Sequence, residues 1–219
     1  MRTWIALAVV IGLVAPAAAQ GLPQTGSLDR FMKESAAQQQ QKELQQIVGR
    51  KRTRGTSAKK PSKAGKHAPA GATDFQQSGT RPYVETFLQS VSIDESAKTH
   101  LRAVFEAAFE SVNKALRPNS VAAAMGYALG VAIQIVNEVE LPAAEARELM
   151  TGINDMLGVS REFLGLGHAE RQVIYEGFVI TGVMLMLAHN AGKNDPSIRQ
   201  QSQEMARNVI SQLSGLAVK

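Results

Sequence analysis

The chain of 219 residues has no cysteine. A disulfide framework, a thiolate nucleophile and a cysteine-ligated zinc or iron–sulfur site are all excluded, so core packing must supply the stability. Aromatic residues make up only 5%, and none falls between Phe31 and Phe75. Readers of single-stranded nucleic acid interleave aromatics with cations for base stacking, which argues against that class here. Acids are scarce at the front. Residues 1–73 hold Asp29, Glu34 and Glu43 against 12 Lys/Arg, which leaves 12 Lys/Arg against 16 acids in the rest of the chain. The net charge of +5 therefore hides a basic front half and a mildly acidic back half. Also missing is an uninterrupted apolar run of the ~20 residues that a membrane-spanning helix needs.

What is present begins with MRTWIALAVVIGLVAPAAAQ. Arg2 gives a positive start, Ile5 to Val14 an apolar stretch, and Ala17 to Ala19 small residues. That is the grammar of a secretory signal peptide (1–19) cleaved near Ala19/Gln20, and it predicts an exported bacterial protein, periplasmic or secreted. Residues 20–48 form a Gln-rich leader. Leu28, Phe31 and Met32, and again Leu44, Ile47 and Val48, are spaced to share a helix face, so the leader reads either as a nascent or docked helix or as a disordered segment. Residues 49–73 carry Arg50, Lys51, Arg52, Arg54, Lys59, Lys60, Lys63 and Lys66 and no acid. Gly, Pro, Ser and Ala fill the gaps. Such a segment buries too little apolar surface to offset its ordering entropy, and reads as disordered. Two readings of it stay open. The cations bind a polyanion, such as an acidic envelope polymer or anionic lipid headgroups, or the segment is a solvated linker kept extended by its like charges.

From Asp74 to 217 the pattern becomes helical. Leu101, Val104, Phe105, Ala108, Phe109, Val112 and Leu116 make one stripe at helical spacing. Ser92 and Glu95 read as its capping box, and Pro118 as its stop. Pro142 suits the first turn of a helix striped by Ala146, Leu149, Met150, Ile153 and Leu157, with Gly158 as its C-terminal glycine. Asp195-Pro196 reads as an N-cap followed by proline at the first helical position. There is no sustained period-two alternation. The pattern predicts an all-α, irregular or orthogonal bundle of five to seven helices. A central apolar helix at 121–138 organises it, and the disordered basic segment precedes it.

Two apolar stretches, Val121 to Val136 and Gly177 to Ala188, raise the question of a membrane. Both are short for a span, acids flank them, and neither has an aromatic girdle. They read as core helices instead. Gln134 and Glu176 each interrupt one of them, with Tyr127 and Tyr175 close by in sequence. These four residues are the candidates for a buried polar network or for the polar floor of a pocket. The histidines His67, His100, His168 and His189 form no metal-ligand pair. His189, near a helix C-terminus where an imidazolium is favoured, reads as a capping residue first and as a protonation switch second. No nucleophile elbow, phosphate loop or dinucleotide fingerprint occurs.

The run Thr73-Asp74-Phe75-Gln76-Gln77-Ser78-Gly79-Thr80-Arg81, followed by this helix order, resembles a family of uncharacterised exported bacterial proteins over about residues 73–217. The resemblance implies an all-helical domain, with no activity or functional residue attached to it. The expected function is a non-enzymatic binding module of the cell envelope with a polycationic tether, needing no cofactor or metal. Its partner is expected to be an envelope protein or an anionic envelope polymer or lipid, with nucleic acid and integral insertion argued against. Two alternatives are a membrane-active protein inserting a hairpin of helices 121–136 and 173–188, and an enzyme or small-molecule binder with a pocket near Glu176.

Overall fold

The computed structural model describes residues 67–217. Among them are seven α-helices and no β-strand: α1 Pro82–Ser90, α2 Glu95–Ala115, α3 Val121–Asn137, α4 Ala143–Val159, α5 Arg161–Leu164, α6 His168–Ala191 and α7 Pro196–Ala217. A 3-10 turn, Gly192–Asn194, joins α6 to α7. The leader and all eight tether cations lie outside the described residues.

Local chemistry sets most of the boundaries. Asp94, not Ser92, caps α2, its carboxylate accepting from Ala97 N–H at 2.8 Å. A carboxylate three residues ahead of that N–H reaches it directly, so the expected Ser92/Glu95 box is not used. Ser120 caps α3, accepting from Ala123 N–H. Asp195 caps α7 ahead of Pro196, accepting from Ser197 N–H at 2.9 Å and Ile198 N–H at 3.3 Å. Gly158 does not end α4, which runs to Val159. It is a contact glycine. An added Cβ would lie 2.4 Å from the Ala68 Cβ and 2.9 Å from the Ala72 Cβ.

Twelve of the 17 residues of α3 are buried, so it is crowded on nearly every side. α6 shares the centre with it. Their relative direction follows from their ends. Ser120, ahead of α3, bonds Thr73, while Arg171 in the first turn of α6 donates to the Ala72 and Asp74 carbonyls. Beyond the far end of α3, Glu138 pairs with Arg199, and Arg199 packs on Gly192 just past α6. The two helices therefore run the same way. α7 returns antiparallel, so that Leu213 meets Ala122 and Met125 of α3. α4 lies outside α3, with Met150 over Gly126 and only Ala146 and Ile153 buried. α1 and α2 cover the other side of α6 with Phe87, Phe105 and Phe109.

Residues 67–81 form a strap across these helix starts. Asp74 and Ser120 make an isolated antiparallel bridge, with Phe75 N–H donating to Asn119 O at 3.0 Å and Val121 N–H to Thr73 O at 3.1 Å. Arg117 pairs with Asp74 in two-pronged fashion. Phe75 is the one large apolar anchor of the strap, 6% exposed. Composition puts His67 to Thr73 with the basic linker, yet these residues lie against α4. Glycine, alanine and proline fit a close seat as well as they fit a linker.

Candidate functional site

The site begins with a deficit in α1. Its cap position is Arg81, whose side chain caps nothing, and its first residue is Pro82, which has no N–H to give. The next N–H groups must find an acceptor or remain orphaned in the core. Glu176 supplies it from α6, 93 positions later in the chain. Its Oε2 accepts from Tyr83 N–H at 2.9 Å, and Val84 N–H also bears on the carboxylate. Gln172, one helical turn earlier on the same face, donates to Glu176 Oε1 at 2.7 Å. The same Gln172 amide donates to Thr80 O at 2.7 Å, and its oxygen accepts from Ser78 N–H at 2.7 Å. Strap, α1 and α6 are thereby locked through two side chains.

Arg81 is the counter-charge. Its Nη1 stands 4.0 Å from Glu176 Oε1, its Nε donates to Glu106 at 3.4 Å, and its guanidinium lies 4.1 Å above the Phe109 ring. Glu176 is 0% exposed. Burial pushes its carboxyl above the usual range, against the opposing pull of Gln172, the Tyr83 N–H, Arg81 and the Val84 N–H.

Tyr175 belongs to the same neighbourhood. Its ring lies 5.2 Å from Phe75 and 5.8 Å from Phe109, and its hydroxyl donates to Asn113 Oδ1 at 2.9 Å. That oxygen also accepts from Asn119 N–H at 3.0 Å. It steadies a turn in which Asn119 has a φ of 50°. Burial raises the Tyr175 phenol well above its ordinary range.

The other two candidates lie elsewhere. Tyr127 is buried further along, its ring against Gly182, and burial raises its phenol too. Gln134 is only half-buried, near the far end of α3. With α3 and α6 parallel and Tyr127 level with Gly182, Gln134 lies about 20 Å along the bundle from Glu176 at 1.5 Å per residue. The four residues are not one polar floor. Sequence proximity to an apolar run carries no information on the direction of its partner. Of the residues that hold the network, Arg81 enters the sequence pattern only as the last of the run from Thr73, and Gln172, Asn113 and Arg171 do not enter it. The i, i+4 spacing of Gln172 and Glu176 was the available signal.

The tether cations precede the described residues, but the root of the tether is visible. His67 Nδ1 lies 2.6 Å from Asp155 Oδ2, Ala68 N–H donates to Asp155 Oδ1 at 2.9 Å, and Asn154 donates to Pro69 O at 3.2 Å. The bond from His67 holds the Asp155 carboxyl below its usual range. Among the described residues, no group of three or more His, Asp or Glu is placed to hold a metal ion. His168–Asn194 is long and apolar enough to cross a membrane by length and composition, and 67% of its most apolar 18-residue stretch is buried within the protein.

No curated protein and no solved structure matches the chain. A family does, and over far more than residues 73–217: the match includes the leader and the basic segment as well as the helical bundle. Residues 2–219 match the family of unknown function DUF6683, and the chain belongs to that family.

Proposed function

We propose that the protein is an exported, non-enzymatic binding module of the cell envelope. In this reading a rigid helical domain presents a polycationic tether, residues 49–66, to an anionic envelope polymer or lipid surface. The observation that carries it is the placement of eight Lys/Arg without an acid immediately ahead of a strap pinned to α4. A rooted cationic segment keeps its charge close to the domain, and each Lys/Arg near an anionic surface contributes about 1 kcal/mol at low salt. The state of Glu176 supports a non-enzymatic role. Both its oxygens accept N–H groups and none of it reaches solvent.

Sedimentation of the mature protein with anionic vesicles tests this. Binding is expected at low salt and falls at least about tenfold on going to 0.2 M salt, where charges are screened within ~7 Å. Deleting residues 49–66 abolishes it while leaving the melting temperature unchanged. The deletion stops at Lys66 because His67 to Thr73 is part of the packed domain. Binding that resists both salt and the deletion overturns the proposal.

A second reading draws on the length and hydropathy of α6. It holds that apolar helices insert into the bilayer, and salt-resistant binding would favour it. Two helices running in the same direction, however, do not form the antiparallel hairpin that such insertion was expected to use.

A further inference from the structure

Where α3, α6 and the start of α7 converge lies a charged junction at the opposite end of α6 from Glu176. Glu138 caps α3 with a left-handed backbone, φ 54°, a conformation that costs a residue with a Cβ. Its carboxylate accepts from Arg199 and, at 2.9 Å, from Gln203. One carboxylate therefore ties the end of α3 to the first turns of α7. Gly192 brings the other side close, since a Cβ there would stand 2.7 Å from the Arg199 backbone nitrogen.

His189 sits in the last turn of α6 at this junction. The residue is half-buried, and its Nδ1 is fully buried with no hydrogen-bond partner. The charges that bear on it are Lys193 from the 3-10 turn, Arg199 from α7 and Glu138 from the end of α3. A helix C-terminus alone favours an imidazolium, as in a capping role. Here burial first, then Lys193 and Arg199, depress the imidazole below its ordinary range, with Glu138 alone opposing them.

We propose that this junction is an acid-sensitive latch, in which protonation of His189 sets a third cation beside Lys193 and Arg199 and loosens the hold of α7 on α3 and α6. The sign follows from linkage. An opened or unfolded chain takes the proton at the ordinary value of 6.5, ahead of the closed junction. The latch is therefore fully closed above that pH and weakens as pH falls below it. Glu138, the only anion among the three, cannot neutralise Arg199 and an imidazolium together.

Hydrogen exchange of the mature protein at pH 7.5 and 5.5, corrected for the intrinsic pH dependence of exchange, reads the latch. Amides of residues 197–205 are expected to exchange at least about threefold faster at the lower pH. His189→Gln removes that response. Lys193→Gln, at an exposed position and so without risk to folding, leaves a smaller one because one depressing cation is gone. The proposal is overturned if the wild type shows no response, if His189→Gln responds like the wild type, or if Lys193→Gln responds as strongly as the wild type.

Discussion

Glu176→Ala lowers the melting temperature of the protein by about 6–12 °C. The substitution strips the acceptor from the buried Tyr83 and Val84 N–H groups and leaves Arg81 without its buried counter-charge. Breaking a buried pair from one side costs about 3–5 kcal/mol. Arg81 keeps Glu106 and the Phe109 face, so the lower end, about 3 kcal/mol, applies. For a domain of this size each kcal/mol moves the midpoint by about 2–4 °C. Glu176→Gln has an intermediate effect. An amide offers one acceptor where two N–H groups converge, and Gln172 cannot turn over to compensate without losing Ser78 and Thr80. Gln134→Leu, half-buried and distant from Glu176, shifts stability by no more than about 0.5 kcal/mol. Thermal melts followed by circular dichroism check all three. A Glu176→Ala midpoint within 2 °C of wild type, to order of magnitude, would remove the clamp from the account.

The same carboxyl carries a pH signature opposite to that of His189. Burial raises Glu176 above the ordinary 4.5, so the folded chain takes up the proton before the unfolded one. Its contribution to stability therefore falls as pH rises through that window. The gap in midpoint between wild type and Glu176→Gln widens as pH is lowered from neutral toward 4.5.

Gly182→Leu costs about 3 kcal/mol or more by overpacking. A Cβ at this position would stand 2.4 Å from Tyr127 Cε1 and 2.8 Å from its Cδ1. Tyr127 is 9% exposed and sits on a helix buried on most sides, so its ring has nowhere to swing. Replacing glycine within a helix gains about 1 kcal/mol of propensity, too little to offset the clash. Tyr127→Ala alone loses about 3–5 kcal/mol by emptying a core site. In the double variant the leucine occupies part of the vacated space, so the two losses are not additive by at least about 1 kcal/mol. Strict additivity would place Gly182 away from Tyr127 and separate the two central helices.

Helices were legible in the sequence wherever their signals are local. The stripe from Leu101 to Leu116 and the Asp195-Pro196 start lie within a turn or two of the features they announce. What was hidden depends on partners far along the chain. Glu176 is explained by N–H groups 93 positions away, and they need it because Pro82 and Arg81 leave α1 uncapped. Gly158 looks like a helix stop until Ala68 and Ala72 are seen seated on it. His67 to Thr73 has linker composition, and only the pairings with Asn154, Asp155 and Ser120 reveal it as packed chain. The direction of α3 against α6 has no sequence signature at all. That is why Gln134 and Glu176 looked like neighbours. The end-of-helix position of His189 suits a cap or a switch, and only the fold shows that its Nδ1 is buried without a partner and that the charges of Lys193 and Arg199 bear on it.

α3 and α6 lie side by side in one direction as the buried centre of the bundle. With no native cysteine, spin labels can be placed at will. Ile133→Cys and Val173→Cys are both at half-buried positions. With Tyr127 level with Gly182, the two sites are offset by 15 residues, about 22 Å along the bundle. Electron paramagnetic resonance of the doubly labelled protein is predicted to give a distance centred at about 20 Å or more. An antiparallel hairpin of the two apolar helices would set the labels side by side, at about the 10 Å spacing of packed helices. A distribution centred there contradicts the account.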